Sequence, residues 1–209
     1  MSRARDLSNF LVQDSRLSNV DSDLVQPLIP HSYIQARETN DFVKVAEASG
    51  GGSSTVAFNG CFTSTYRKYL ILASIRLDTT AECIVRLQDS NNNERSSGLY
   101  YYATMENSRS SGSDTHDDDG RWGDDKFSPQ ATILANNPHA SYRIWVFNPT
   151  DTSIKTHMQM DFFCQAPQIQ NQTKGSCVYD SATNDTGFRF IAESGNIVST
   201  SQFKIYGLK

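Results

Sequence analysis

Residues 154–164 read Ile154-Lys155-Thr156-His157-Met158-Gln159-Met160-Asp161-Phe162-Phe163-Cys164. Ile154, Thr156, Met158, Met160, Phe162 and Cys164 fall on one side of a two-residue period. Lys155, His157, Gln159 and Asp161 fall on the other. In an extended chain successive side chains point to opposite faces, so this stretch reads as a strand with one face in a core and one in water. The same period recurs on both sides of it. Tyr69, Ile71, Ala73, Ile75 and Leu77 share a phase within Thr65–Leu77, and Cys83, Val85 and Leu87 alternate with Glu82, Ile84 and Arg86. Tyr142-Arg143-Ile144-Trp145-Val146-Phe147 runs into Asn148-Pro149, which stops it.

Outward from these segments the chain keeps the pattern. Phe42–Ala46 is a short strand followed by Ser49-Gly50-Gly51-Gly52-Ser53-Ser54, a turn. Asp89-Ser90-Asn91-Asn92-Asn93 closes the Cys83 strand with turn-forming side chains. Leu99–Met105 carries three successive tyrosines, in which Tyr100 and Tyr102 share a face and Tyr101 opposes them. Phe188–Phe190 and Phe203–Tyr206 end the sequence as two further strands. No segment after residue 36 holds a helical period over eleven residues. About ten short strands with turns between them imply an all-β fold, an antiparallel β-sandwich or jelly roll spanning residues 36–209.

Residues 1–35 differ. They hold three arginines and four aspartates with no Lys, Glu or Gly, and Pro27 and Pro30 separate them from the strands. Leu7, Phe10, Leu11 and Leu17 recur at spacings of three and four, the pattern of a short amphipathic helix. The segment is too short to enclose a core, so it reads as an extended or short-helical arm that docks onto something else.

The chain has 209 residues and a formal charge of −4. That balance excludes a nucleic-acid binder working through overall basicity. Only 20% of residues are charged, yet mean hydropathy is −0.51. The polarity therefore comes from Ser, Thr, Asn and Gln, as in β-proteins with long polar loops. No apolar run approaches the roughly 18–20 residues of a membrane helix, and Met1–Ser8 does not continue into the apolar core of a signal peptide. Cys61, Cys83, Cys164 and Cys177 show no C-x-x-C pair or zinc-like spacing. They read as buried thiols, with a disulfide as the alternative.

Ser108–Lys126 stands out for charge. It holds six aspartates against Arg109, Arg121 and Lys126, three negative charges in excess and most of the chain total. It reads as a solvated acidic loop. An EF-hand fails here: with Gly120 at the sixth position, Thr115 and Lys126 occupy the first and twelfth, where carboxylates belong. An irregular Ca²⁺ or Mg²⁺ site is the alternative to a solvated loop, and no cofactor is implied. Trp122 either covers the sandwich edge or offers a stacking surface to a sugar ring, with Asp117 and Asp119 as hydrogen-bonding partners. His116, beside Asp114 and Asp117, is the one candidate acid–base cluster, and no G-x-S-x-G, H-E-x-x-H or P-loop pattern is present. The N-glycosylation patterns at Asn171 and Asn184 read as chance in a polar chain.

Thr186-Gly187-Phe188-Arg189-Phe190-Ile191-Ala192-Glu193-Ser194-Gly195-Asn196-Ile197, followed by Phe203-Lys204-Ile205-Tyr206-Gly207-Leu208, resembles the closing strands of structural proteins in tailed bacteriophages. The opening Met1-Ser2-Arg3-Ala4-Arg5-Asp6 is similar to the starts of tail-associated phage proteins. Together these stretches hold 24 residues. The resemblance implies a non-enzymatic virion protein, tail- or fibre-associated or a capsid decoration protein, assembled in the host cytoplasm. Its implied partners are other virion proteins and further copies of itself, a trimer above all. The alternative reading, a receptor- or carbohydrate-binding module contacting through Trp122, Asp117 and Asp119, adds a host surface glycan as ligand, and neither nucleic acid nor membrane insertion is expected.

Overall fold

The computed structural model describes residues 42–110, 113–135, 139–166 and 169–208. The arm with Leu7, Phe10, Leu11 and Leu17 lies outside the described residues. Eleven strands follow in order: β1 (Phe42–Ser49), β2 (Thr55–Phe58), β3 (Lys68–Ile75), β4 (Cys83–Gln88), β5 (Tyr100–Ser110), β6 (Ser113–Asp124), β7 (Ala140–Phe147), β8 (His157–Ala166), β9 (Ile169–Tyr179), β10 (Gly187–Ala192) and β11 (Gln202–Leu208). They form an eight-stranded sheet, β1-β11-β3-β7-β8-β9-β5-β6, and a three-stranded sheet, β2-β10-β4. Every pairing is antiparallel. The described residues therefore form the all-β antiparallel sandwich that the period-two pattern implies.

Alternation sets which face is buried. On β3 the residues Tyr69, Ile71, Ala73 and Ile75 point inward, on β7 Ala140, Tyr142, Ile144 and Val146, and on β8 Met158, Met160, Phe162 and Cys164. Ile154 does not continue this face. It lies outside β8 and is 43% exposed, because the chain is still turning through residues 151–154. The small sheet contributes Phe58, Phe188 and Phe190, and the two layers meet ring against ring. Phe190 lies 4.9 Å from Phe203 and 5.7 Å from Tyr142, and Phe58 lies 5.9 Å from Phe203. Such offset and edge-on pairs add to the area that the rings bury.

Tyrosine hydroxyls span the gap between layers. Tyr142 donates to the Cys83 carbonyl at 2.9 Å, and Tyr100 accepts from the Leu87 amide at 2.9 Å. Both target groups lie on β4, so β7 and β5 are hydrogen-bonded to the opposite layer. Each phenol is fully buried, and burial holds it well above the ordinary tyrosine pKa, so both hydroxyls stay protonated and neutral. The edge of β4 remote from β10 is covered by irregular chain. Val85 and Phe127 exchange both backbone hydrogen bonds, as do Ala81 and Ile133. This removes an open edge that could pair with another chain.

On the outer side of the small sheet, Arg86 bonds Glu94 (2.8 Å) and Asp125, and Arg189 pairs with the same Glu94. Burial pushes the Glu94 carboxyl up, but the two guanidiniums outweigh it and hold the group below the usual range. A second ion pair is deeper. Asp185 is fully buried and accepts from Arg95 (2.9 Å), Thr156 (3.0 Å) and Thr183 (3.1 Å). It ties the segments before β5, β8 and β10 together.

Two outcomes follow. Phe190→Ala removes a ring packed on three others, so it should cost about 3–5 kcal/mol, read from the denaturant midpoint. A carboxylate with a depressed folded-state pKa contributes stability above its unfolded pKa, about 4.3 for Glu, and loses it as pH falls through the folded value. Glu94→Gln should therefore lower stability at neutral pH while flattening the loss below about pH 4, measured by melting across pH 2–7.

Candidate functional site

Ser108–Lys126 is not a loop. Ser108–Ser110 complete β5, and Ser113–Asp124 form β6, paired with β5 from Ser110↔Ser113 to Tyr100↔Asp124. β6 is an edge strand held by its ladder rather than by burial, and this is why apolar alternation gave no sign of it. Its aspartates are the device that keeps an exposed edge from pairing with other chains. Asp119 holds Arg121 at 3.0 Å, and Asp114 lies 3.5 Å from Arg109.

The ladder separates the residues expected to act together. Asp117 stands opposite Glu106, and Asp119 opposite Thr104, on the face that carries Tyr100 and Tyr102 inward. Glu106 is held above the usual carboxylate range by burial, then by the like charges of Asp117 and Glu82. Trp122 belongs to the other face. It packs edge-on against Tyr101, ring centres 5.6 Å apart, and is 89% exposed. Asp117, Asp119 and Trp122 therefore do not form one ligand site. His116 also departs from the acid–base cluster expected with Asp114 and Asp117. Its Nδ1 lies 3.0 Å from Asn107 Oδ1 and its Nε2 3.3 Å from Asp118. Among the described residues no cluster of three or more His, Cys, Asp or Glu side chains could hold a metal ion.

A bulge sets the position of Trp122. Between Tyr100↔Asp124 and Tyr102↔Arg121, the two residues Trp122 and Gly123 oppose the single Tyr101. Gly123 sits at φ +74°, the left-handed conformation such bulges require. A Cβ there would lie 3.1 Å from the Gly98 carbonyl oxygen. Past the bulge Asp124 is anchored, accepting from Tyr102 Oη at 3.1 Å and from the Asp125 amide at 2.7 Å, while Gln130 donates to the same hydroxyl at 2.7 Å. Trp122 is thus an exposed ring on a fixed backbone.

Beside it, a surface groove of about 430 Å³ is lined by Tyr101, Ala103, Gly120, Trp122, His157 and Gln159, among others. Neither His157 nor Gln159 was marked by the sequence as part of a site, since each reads as the polar half of an alternating strand.

The four cysteines are free and buried. Burial pushes the Cys61 thiol up to about 12 and raises Cys83, Cys164 and Cys177 as well. Thiols held this far from ionisation are packing groups rather than nucleophiles. Thr173 of the Asn171 glycosylation pattern is fully buried within β9, in keeping with a chance match. No protein-family model matches the chain, and no curated protein matches it.

Gly123→Ala forces an L-residue into the left-handed region at about 1–2 kcal/mol. The variant should unfold earlier in denaturant, and its Trp122 emission should shift in the folded state. An unchanged spectrum would mean that the bulge does not set the indole.

Proposed function

We propose that this chain is a non-enzymatic phage virion structural protein, tail- or fibre-associated, that docks through residues 1–35 and presents the sandwich. The carrying observation is the outer face of the eight-stranded sheet. There Phe42, 46% exposed, packs on Trp145 (6.3 Å) and Tyr206 (6.5 Å), and Trp145 stacks with Phe147 (6.4 Å). Leu72, Met105 and Phe163 are also exposed on this face. Large apolar groups gathered on one side of a sheet are the mark of an interaction surface. A component that works inside an assembly has a use for such a face.

The phage assignment itself rests on the resemblance of the opening Met1–Asp6 and, above all, of two closing segments, Thr186–Ile197 and Phe203–Leu208. The closing segments supply β10 and β11, the central strand of the small sheet and an inner strand of the large one. The resemblance thus lies mainly in core-forming strands and supports a shared architecture more directly than a shared partner.

Deleting residues 1–35 should abolish incorporation into particles while leaving a soluble, cooperatively folding domain. Normal incorporation of the truncated chain, scored by mass spectrometry of purified virions, would count against the docking role.

A further inference from the structure

Register across the sheet lines up three rows of side chains on the outer face, running perpendicular to the strands. The first row is Phe147, His157, Val178 and Tyr101, ending beside Trp122 at the bulge. The second is Gln159, Ser176, Ala103 and Gly120. The third is Asp161, Lys174, Met105 and Asp118. Ser176, Ala103 and Gly120 are small between two rows of larger side chains and make a trough, whose middle row continues through Gln159 to Trp145 on β7. Its walls stand four residues apart along each strand, about 13 Å. Its floor crosses four strands, about 14 Å. One wall is aromatic and the other mainly ionic.

We propose that this trough binds a neutral oligosaccharide lying across β8, β9, β5 and β6, with one sugar ring stacked on Trp122. A pyranose has an apolar C–H face and a rim of hydroxyls, and the trough offers a matching pair of surfaces. The indole supplies a flat apolar platform held by Tyr101, and Gln159, Ser176, Lys174 and Asp118 supply donors and acceptors along the floor and far wall. A few placed polar groups beside an aromatic surface are the usual composition of a small-ligand site.

Charge narrows the occupant. Single-stranded nucleic acid also stacks on exposed aromatics, but it needs a positively charged groove to follow its backbone. On the face that carries Trp122, β6 holds Asp114 and Asp118, and the far wall holds Asp161 and Asp118 against Lys174, so no positive track is offered to a phosphate backbone. An extended peptide gains affinity by adding to a sheet edge, whereas this trough runs across the strands, over backbone already paired on β8, β9 and β5. The site stands on this geometry alone and does not depend on the virion assignment.

Trp122 and Trp145 are the two tryptophans of the chain. The full-length Trp145→Phe variant therefore reports on Trp122 by fluorescence, and it can be titrated with maltohexaose, cellohexaose and N-acetylchitohexaose. The expected result is a saturable change in Trp122 emission with at least one of the three. The same sugar, followed by calorimetry, should bind the otherwise native chain about tenfold or more tightly than Trp122→Ala. Ala103→Tyr places a strand-favouring side chain on the exposed floor and should weaken binding to a similar degree with the melting temperature retained. Should Ala103→Tyr fail to fold, Ser176→Tyr blocks the same floor.

Three results overturn the proposal: no saturable change with any of the three sugars, binding that survives both Trp122→Ala and a filled floor, or a Trp122 shift that follows protein concentration alone. The last would assign the trough to a second copy of the chain. Particle incorporation tests the virion reading separately, since a chain that assembles normally and binds no sugar sinks only the trough.

Discussion

An eight-stranded sheet is covered on one side by a sheet of three strands, and the rest of the structure follows from that mismatch. At a spacing of about 4.8 Å, eight strands span about 34 Å and three span about 10 Å. The inner face of the large sheet is apolar over much of its width, so three strands alone would leave it wet. Irregular chain completes the cover. Phe62, Phe127 and Ile133 are buried from segments outside the strands, and backbone pairing of Phe127 and Ile133 with Val85 and Ala81 fixes that chain against β4. Aromatic rings and tyrosine hydroxyls then set the depth of the layer, because Tyr100 and Tyr142 reach backbone groups of the opposite sheet.

The cover does not reach β6. Beyond β5 the large sheet runs past its partner, and a strand there gains nothing from apolar residues on either face. β6 is accordingly charged, and one edge strand combines strong ladder pairing with a sequence that looks like solvent-exposed loop. The bulge at Trp122–Gly123 belongs to the same place. An edge strand can take an extra residue without disturbing a neighbour on its far side, and the extra residue turns an indole onto the outer face. Fixed position and full exposure of Trp122 thus have one cause, the end of the cover.

The outer face follows another rule. Its charges are laid out so that opposite signs meet across strands. Arg143 stands opposite Asp161 and bonds it through two nitrogens, at 2.9 and 2.7 Å, and Asp161 in turn stands opposite Lys174. The aromatic group around Phe42, Trp145 and Tyr206 spans β1 to β7, the trough runs from β8 to β6, and Phe147 joins the two. A single sheet face therefore carries two surfaces of different character, one suited to packing against protein and one to a hydroxyl-rich ligand.

Wherever burial alternates along a strand, the sequence by itself determined the outcome. Tyr69 to Ile75, Tyr142 to Val146 and Met158 to Cys164 announce their inward faces in residue type, and the all-β class follows from them. β2, β6 and β9 gave no such signal. β2 is only four residues long, β9 turns Thr173, Gly175 and Cys177 toward the core side where larger apolar groups would be expected, and β6 is exposed nearly throughout. Residue type records whether a position is buried, not which strand lies beside it, so register was decided only by the tertiary structure. Register places Asp117 and Asp119 on the face opposite Trp122, and it brings His157 and Gln159 of β8 and Tyr101 of β5 to one groove. A period-two pattern fixes the face on which each residue lies within its own strand, and hydrogen-bonded pairing between strands far apart in sequence decides which residues share a site.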